Sequence, residues 1–348
     1  MASVSLRLAG VSFRGFKSRM QLIHVGLGGF GRRWMEVVLA DRNWRYAAVA
    51  TRSAEAQRFA AERTGLAPER CTDSLAAALE RAPEADAVLV TTPYFRHEDD
   101  VVTALRHGKH VLVEKPLTDT AAAGERMRAA AAGAGTTVMV GEDYRFRGGA
   151  VAMREIVQGG EIGVPEVIDL QYFVSHRFAA GDWRNELRYP VLLENNTHQV
   201  DLLRYVTGCE ALAVTASTMT SAADSPWPFP SVAALIEMDR GLSVTFSASW
   251  ALADLNTPWE GVWTVRGPRG ALRWDEAGII LFRGTRQRQL AAADSAPRLD
   301  LVLAEFTAAL REGRAPSVDL AGNLKTLAVV LAMIRSGEQH RRVELTAG

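Results

Sequence analysis

The spacing of apolar positions changes near the middle of the chain. Up to about residue 140, short apolar runs alternate with stretches in which apolar residues recur at helical spacing. The predicted strands are Gln21–Val25, Tyr46–Thr51, Asp86–Thr91, Lys109–Val113 and Thr136–Val140. The predicted helices are Arg32–Ala40, Ser53–Arg63, Asp73–Arg81, His97–His107 and Asp119–Ala132. This alternation predicts an α/β doubly wound parallel sheet.

Extended runs dominate from about Val164 onward and are separated by Gly, Pro and Asp turns. They are Glu166–Val174, Leu212–Thr220, Val232–Met238, Leu242–Trp250, Val262–Arg266, Ala271–Trp274 and Ile279–Arg283. Helical segments are expected at Glu194–Val206, Leu299–Glu312 and Asp319–Ser336. The second half is therefore predicted to hold a large, mostly antiparallel open sheet.

These patterns divide the chain into three parts. Residues 20–143 are expected to form a dinucleotide-binding domain, and residues 144–348 a substrate-binding and oligomerisation domain whose C-terminal helices could pack back on the first. Residues 1–19 carry four basic side chains and no acidic one, without the apolar core of a signal peptide. They are expected to be a disordered tail or a misassigned start before Met20, and a targeting arm stays open.

Composition excludes several classes of protein. The 348 residues include 40 basic and 40 acidic side chains, and this balance argues against nucleic-acid binding driven by phosphate neutralisation. Two cysteines, Cys71 and Cys209, form no metal or disulfide pattern, so a reducing, cytoplasmic location is expected. No apolar run is long enough to span a membrane.

A glycine-rich turn lies between the first predicted strand and helix. Its residues are Gly26, Leu27, Gly28, Gly29, Phe30 and Gly31. In this spacing the first glycine permits a tight turn, the second lets the backbone approach a pyrophosphate, and the third lets the helix pack closely. The N-terminus of the helix also attracts phosphate. The sequence therefore predicts dinucleotide binding, with a ligand-free turn as the alternative.

The end of the second strand bears on the choice of cofactor. An NAD enzyme usually has an acidic residue there to bind the ribose 2′-hydroxyl. This chain has Thr51, Arg52 and Ser53 instead, which can bind a 2′-phosphate. The sequence therefore favours NADP(H), with NAD(H) still possible. Alternatively, Arg52 is a surface residue and Ser53 only caps the next helix.

Several motifs together resemble the glucose–fructose oxidoreductase/inositol dehydrogenase (Gfo/Idh/MocA) family. They are Gly26–Gly31, Thr92-Pro93 with His97, Gly108–Leu117 (Gly-Lys-His-Val-Leu-Val-Glu-Lys-Pro-Leu), Tyr144–Phe146, Gly160–Gly163 and Leu192–Tyr205. The resemblance implies a Rossmann domain, a C-terminal α/β domain whose sheet is often an oligomer interface, and oxidoreduction of sugars or polyols. It also implies that the cofactor is contacted by Thr92, Pro93, His97, Glu114, Lys115 and Pro116.

The same resemblance implies that Lys115 and His198 are a catalytic acid/base pair, with Glu194 as third member. Independently of the family, Glu194, His198 and Asp201 have the spacing of one helix face. A histidine there can move a proton because its pKa lies near the working pH. A purely structural histidine is the alternative. No metal is expected, because Glu194 and His198 have no third ligand at a suitable spacing.

Two departures from the family pattern affect this interpretation. Glu194 stands where Asp is commonest, and Asn196 follows where Gly is usual. The proline that usually follows Arg-Phe is replaced by Arg147. Glu194 could therefore orient His198 or bind substrate.

Most candidates for substrate selection precede the predicted helix Glu194–Val206, and one, Asp201, lies on it. Aromatic faces stack on sugar rings, and arginines bind carboxylate or phosphate groups. The candidates are Tyr144, Arg145, Tyr172, Arg177, Trp183, Arg184 and Asp201, with His176 and Arg188 nearby. A solvated loop is the alternative for part of this set.

The sequence thus predicts an NAD(P)-dependent oxidoreductase that acts on a small sugar, polyol or related hydroxy compound. A homodimer or homotetramer formed through the C-terminal sheet is expected, without nucleic-acid or membrane partners. Two other functions stay open. One is a glycosidase-type enzyme that retains its cofactor, and the other is a non-catalytic dinucleotide-binding sensor.

Overall fold

The structure is a computed structural model that describes residues 19–176, 178–219, 231–251, 254–291 and 297–345. Its first half contains six parallel strands in the order β3-β2-β1-β4-β5-β6. They are β1 (Met20–Val25), β2 (Trp44–Ala50), β3 (Cys71–Thr72), β4 (Ala87–Val90), β5 (His110–Val113) and β6 (Val138–Val140). The order reverses between β1 and β4, as in a Rossmann fold, and this reversal leaves a crevice at the carboxyl ends of the strands.

Five helices connect these strands. They are α1 (Gly29–Ala40), α2 (Ala54–Thr64), α3 (Leu75–Arg81), α4 (His97–Arg106) and α5 (Ala121–Ala132). Helices α2, α3 and α5 have side-chain N-caps: Ser53, Ser74 and Thr120 each accept a hydrogen bond from a backbone amide in the first turn. The strands are buried on both faces, and this explains their continuous apolar sequences.

The second sheet has nine strands in the order β14-β13-β12-β11-β7-β10-β9-β8-β15. They are β7 (Val167–Phe173), β8 (Ala211–Met219), β9 (Ser231–Met238), β10 (Ser243–Ser249), β11 (Val262–Gly267), β12 (Gly270–Asp275), β13 (Gly278–Arg283), β14 (Arg286–Ala291) and β15 (Val343–Glu344). Only the β7–β10 pair is parallel among these described strands. The predicted fold class, a parallel Rossmann sheet followed by a mostly antiparallel sheet, is confirmed.

One face of the second sheet is covered by helices. They are α6 (Gly148–Gln158), α7 (Asn196–Thr207) and α9 (Leu320–Gln339), and their buried apolar residues share one core with the inner face of the sheet. Helix α6 was not predicted from the sequence; it begins with two glycines and buries Ala150, Met153 and Val157 at helical spacing. The short strands β3 and β15 and the polar strand β14 were also not predicted.

Helix α8 (Leu299–Glu312) packs on the first sheet rather than the second. Phe306 stacks on Trp44 with ring centroids 5.9 Å apart. The indole nitrogen of Trp44 donates a 2.8 Å hydrogen bond to the hydroxyl of Thr307. The C-terminal part of the chain therefore completes the core beside β2 and α1.

Candidate active site

The loops that follow β1, β2, β3 and β4 surround a cleft at the carboxyl edge of the first sheet. The cleft has a volume of about 530 Å³. It is lined by the turn after β1 (Gly26, Leu27, Gly28, Gly29, Phe30, Gly31), by Thr51, Arg52, Ser53, Asp73, Ser74, Thr91, Thr92 and Pro93, and by Trp183 and Arg184. Sequence-predicted residues from distant parts of the chain therefore meet here, as expected for parallel strands.

The three glycines of the motif differ in the space around them. A Cβ on Gly26 would lie 2.7 Å from the backbone of Thr91, and one on Gly31 would lie 2.2 Å from the carbonyl oxygen of Gly26. A Cβ on Gly28 would meet nothing within 4 Å. Gly26 and Gly31 thus close the turn, whereas Gly28 leaves room above the N-terminus of α1. This arrangement fits a bound pyrophosphate.

Residues after β2 combine a structural and a potential binding role. The hydroxyl of Ser53 accepts a 3.3 Å hydrogen bond from the amide of Ala56, so Ser53 caps α2, as the alternative interpretation expected. Arg52 is exposed at the rim of the cleft. Arg32, from α1, also lines the cleft and pairs with Glu55 at 3.1 Å.

His97 connects two loops at the edge of the sheet instead of facing the cleft. Its ring is buried, with Nε2 2.7 Å from the carbonyl oxygen of Thr92 and Nδ1 3.1 Å from that of Pro116. Burial lowers the pKa of His97 to about 4. The structure therefore gives His97 the role of shaping the loops that carry Thr92 and Pro116, whereas the sequence analysis assigned it a cofactor contact.

Glu114 is buried and directly follows β5. One carboxylate oxygen accepts a 2.6 Å hydrogen bond from the indole of Trp34, and the other accepts a 2.9 Å bond from the amide of Lys115. Burial raises the pKa of Glu114 to about 8, against the opposing effects of Lys115 and the Trp34 hydrogen bond. Glu114 thereby fixes the backbone from which the Lys115 side chain projects.

The side chain of Lys115 lines a smaller pocket that adjoins the cleft. This pocket has a volume of about 120 Å³ and is lined by Phe30, Thr91, Thr92, Pro93, Tyr94, Glu114, Lys115, Pro116, Trp183, Arg184 and Glu194. The ammonium of Lys115 donates a 2.6 Å hydrogen bond to the backbone carbonyl of Glu194. Two of its three N–H donors are not used by this bond.

Glu194 does not continue the helix face that the sequence predicted. Residues Val191–Asn195 form a π-helical turn, and α7 begins only at Asn196. The carboxylate of Glu194 accepts a 3.3 Å bond from Arg184, and among the described residues no hydrogen bond joins it to His198. The expected geometry of Glu194 is therefore wrong, because the wider turn lies between the carboxylate and α7.

His198 meets a different carboxylate, which the sequence analysis missed. Its Nδ1 lies 2.5 Å from an oxygen of Glu142, and its Nε2 lies 3.9 Å from Asp143. Burial lowers the pKa of His198, with Lys115 acting in the same direction. Burial also raises the pKa of Glu142, with Asp201 acting in the same direction. Both acids follow β6, and the rule that ligands gather at carboxyl ends of parallel strands would have identified them.

The ring of His198 is held by a stack of three side chains. Tyr144 lies parallel to the imidazole with ring centroids 3.9 Å apart, and the guanidinium of Arg147 lies 3.4 Å from the centroid of Tyr144. Arg147 also forms buried ion pairs with Glu260, at 2.5 Å, and with Asp143, at 3.2 Å. Tyr144 therefore contacts His198, but Arg147 and Glu260 were not predicted.

Two predicted substrate residues pair with each other. Arg145 and Asp201 form a bidentate ion pair in which one bond is 2.6 Å long, and Arg145 also donates to the carbonyl of Ser317. The carboxylate of Asp201 is buried and also accepts a 3.3 Å bond from Thr326. This pair joins the turn after β6 to α7, the helix that carries His198.

The remaining predicted substrate residues differ in where they lie. Trp183 and Arg184 line both pockets, and Trp183 packs edge-on against Tyr94 with centroids 5.5 Å apart. Tyr172 is fully buried, and its hydroxyl accepts a 2.9 Å bond from Trp250. Arg177 lies outside the described residues.

The described residues lack two kinds of feature. No group of three or more His, Cys, Asp or Glu side chains is arranged to hold a metal ion. No helix in this part of the chain is long and apolar enough to cross a membrane. The buried cysteines Cys71 and Cys209 are not joined to each other.

Comparison with known families gives two matches. Residues 21–142 match the GFO/IDH/MocA model described as an oxidoreductase family with an NAD-binding Rossmann fold. Residues 150–273 match the GFO/IDH/MocA C-terminal domain. Together the two matches cover most of the chain.

Individual proteins give the same result. The chain is 26% identical over 335 residues to 1,5-anhydro-D-fructose reductase of Ensifer adhaerens, covering 93% of this chain and 98% of that enzyme. Aldose-aldose oxidoreductase from Caulobacter crescentus, solved with glycerol, superposes with a TM-score of 0.82 at 24% identity, covering 94% and 100% of the two chains. An oxidoreductase from Agrobacterium radiobacter, solved with NAD+, L-tartaric acid and magnesium, has a TM-score of 0.83 at 20% identity, with 94% and 98% covered. At these identities the two solved structures show a shared fold.

Proposed function

Because this chain belongs to the GFO/IDH/MocA oxidoreductase family, we propose that it transfers a hydride between a nicotinamide cofactor and a secondary alcohol or carbonyl of a sugar, polyol or related compound. One observation carries the proposal. Lys115 projects into a pocket that is continuous with the cleft at the glycine-rich turn, through shared residues such as Phe30, Thr92 and Arg184. A substrate oxygen at Lys115 would therefore adjoin a dinucleotide bound along the cleft.

Lys115 would hold the substrate oxygen. Its ammonium is fixed by the carbonyl of Glu194 and keeps two N–H donors for a ligand. A positive charge at this position stabilises the negative charge that develops on the oxygen as the hydride leaves carbon. When bound, the nicotinamide accepts or supplies that hydride at C4.

His198 would take the hydroxyl proton through Nε2. That nitrogen has no hydrogen bond to another described residue, whereas Nδ1 faces Glu142. Lys115 lowers the pKa of His198, so the two side chains act on each other. A neutral imidazole beside the ammonium is the protonation state that a general base requires.

The cofactor proposed for this chain is NADP(H), with NAD(H) as the alternative. Arg52 and Arg32 line the cleft near the end of β2, and no acidic residue occupies positions 51–53. Arginine binds phosphate through charge-assisted hydrogen bonds, so a 2′-phosphate would be favoured there.

The substrate proposed is a small polyhydroxylated compound. Trp183 offers an aromatic face beside Lys115, and Arg184 brings hydrogen-bond donors to the same pocket. Relatives named for sugars support this class, including the anhydrofructose reductase of Ensifer adhaerens. A substrate screen would identify the compound and the direction of the reaction.

We also propose that the chain assembles through the uncovered face of its second sheet. That face exposes Val167, Met219 and Leu235, each by more than a third of its surface. The outward residues around them are small, such as Ala233 and Thr245, and another sheet can approach such a surface closely. Sedimentation of wild type and Leu235→Glu tests this, and a wild-type monomer would refute it.

The test of function is a thermal melt followed by a turnover screen. Ligand at about 100 times its dissociation constant adds about 2.7 kcal/mol to the free energy of unfolding. Stabilisation by NADPH or NADP+, and reduction of NADP+ by a sugar or polyol, would support the proposal. Dinucleotide binding without turnover of any alcohol or carbonyl would contradict the hydride-transfer role.

A further inference from the structure

Glu142 is the buried carboxylate closest to His198, and nothing in the proposed function so far uses it. The two side chains are 1% and 3% exposed. Oxygen Oε2 of Glu142 and Nδ1 of His198 lie 2.5 Å apart, and neither atom has a hydrogen-bond partner among the described residues. The contact is close but not aligned as a hydrogen bond, so a small rotation of the ring or the movement of a proton would complete it.

The carboxylate of Glu142 is aimed at the ring from a fixed position. Its other oxygen lies 3.4 Å from the side-chain amide of Asn323 in α9. The imidazole is fixed as well, since it stacks on Tyr144. The end of β6 and helix α7 therefore bring together a carboxylate and an imidazole, and a proton shared between them stabilises both.

We propose that Glu142 is a positioning residue that sets the tautomer of His198 and receives its Nδ1 proton during turnover. This inference rests on the proposed hydride transfer. With Glu142 ionised, Nδ1–H points toward the carboxylate and leaves the lone pair of Nε2 free for the substrate. In oxidation, the substrate O–H bond breaks and its proton joins Nε2, while the C–H bond delivers its hydride to the nicotinamide. The Nδ1–H bond then breaks, and its proton joins Oε2 of Glu142.

The final state of this relay is a neutral imidazole beside a neutral carboxylic acid. Burial favours that state from both sides, because it lowers the pKa of His198 and raises the pKa of Glu142. The relay thus avoids an isolated buried imidazolium. The two groups titrate as a pair, whose apparent pKa belongs to neither residue alone.

Other charges around the pair are accounted for by their own contacts. The titratable groups that face it are Lys115 after β5, Asp143, Tyr144, Arg145 and Arg147 after β6, and Asp201 on α7. Arg145 is paired with Asp201, and Arg147 with Asp143 and Glu260. Lys115 is bound to the carbonyl of Glu194. Among these described carboxylates, only Glu142 lies within 3 Å of a ring nitrogen of His198.

The decisive experiment measures the tautomer directly. The chain has seven histidines, so ¹⁵N-histidine labelling gives few signals, and the variant His198→Gln assigns the signal of interest. Above the pH at which Glu142 and His198 titrate as a pair, we expect wild-type His198 to have a protonated Nδ1 and an unprotonated Nε2. In Glu142→Gln that transition should move by at least one pH unit, whereas Glu194→Gln should leave it in place. A wild-type ring with an unprotonated Nδ1 at every pH, or an unchanged transition in Glu142→Gln, would overturn the proposal.

Kinetics supply a second readout with a structural control. Glu142→Gln should lower kcat by about 100-fold, toward the lower end of what a general base contributes, and should shift the acidic limb of kcat/KM. Glu142→Asp should restore part of kcat, provided that the thermal shift with dinucleotide matches wild type. A lower kcat with an unshifted acidic limb would assign Glu142 a merely structural role.

The two readouts separate the possible failures. The tautomer needs no substrate, so the expected NMR result without turnover would refute the proposed function and leave the Glu142–His198 pair intact. If the protein turns over substrate but neither the tautomer of His198 nor the kinetics depends on Glu142, the relay alone would be refuted.

Discussion

The ammonium nitrogen of Lys115 lies 2.6 Å from the backbone carbonyl oxygen of Glu194, so the end of β5 is joined to the turn before α7. This bond fixes a cation at the boundary between the pocket that adjoins the cleft and the turn before α7. Lys115→Ala should therefore lower turnover by about 100-fold or more, because the substrate oxygen loses its stabilising charge. Dinucleotide-induced thermal shifts should stay as in wild type.

A matched control for this change is Lys325→Ala, an exposed lysine that pairs with Glu210 far from the cleft. Its steady-state kinetics should equal those of wild type. Undiminished kcat in Lys115→Ala would refute the role assigned to the ammonium.

The geometry of the glycine-rich turn predicts that one alanine substitution weakens folding and another weakens dinucleotide binding. Gly31→Ala forces a methyl group to within 2.2 Å of the carbonyl of Gly26, so unfolding should become easier by about 1–3 kcal/mol. Gly28→Ala meets no protein atom, so the free protein should melt as wild type does but lose most of its stabilisation by dinucleotide. Gly133→Ala, also unobstructed and remote from the turn, serves as control. Full dinucleotide stabilisation of Gly28→Ala would argue against the pyrophosphate site.

Arg52 predicts cofactor selectivity. Removal of a charge-assisted hydrogen bond costs about 1.5–3 kcal/mol, so Arg52→Ala should raise KM for NADP+ by about tenfold or more and leave KM for NAD+ nearly unchanged. Arg45→Ala, near the start of β2 and outside the cleft lining, should alter neither constant. Equal changes for both dinucleotides in Arg52→Ala would show that Arg52 does not read the 2′ position.

The buried Arg147–Glu260 ion pair predicts a large effect on stability. Arg147→Met leaves the carboxylates of Glu260 and Asp143 without their cation, and breaking such a pair costs about 3–5 kcal/mol. Denaturant unfolding measures the loss. The double variant Arg147→Met/Glu260→Gln should recover part of it, and a double variant no more stable than the single one would indicate that lost packing dominates.

Glu114 predicts a change of stability with pH. Burial raises the pKa of Glu114 to about 8 from an ordinary value of 4.5, so the folded state holds its proton more tightly than the unfolded chain does. The resulting stability is complete below pH 4.5 and is lost as pH rises through 8. The difference in unfolding free energy between wild type and Glu114→Gln should therefore decline across this window. A difference that rises with pH would indicate that the carboxylate form is the favoured one.

The sequence predicted most of the secondary structure, because strand and helix periodicities are local properties. The helix Leu299–Glu312 was predicted to the residue. Helix α6 was missed because Gly148 and Gly149 resemble a turn. Gly149 is nevertheless required, since a Cβ there would lie 2.7 Å from the ring of Trp274, a residue far away in sequence.

The candidate site was only partly predictable, for a related reason. The glycine-rich turn and the Glu-Lys-Pro segment are continuous in sequence, so their residues could be named in advance. The partner of His198 is Glu142, which is remote in the chain and follows a strand of only three residues. The π-helical turn at Val191–Asn195 also separates Glu194 from α7, and residue spacing alone assumed one regular helix.

The packing of α8 against β2 and α1 has a consequence for protein engineering. A chimera that takes the first 143 residues from this chain and the remainder from another enzyme would lose the ring of Phe306 and the hydroxyl of Thr307 from Trp44. The nucleotide-binding domain therefore cannot be transferred to another protein as one consecutive segment. A functional graft would carry two separate pieces of the gene, one encoding the six strands and the other encoding α8.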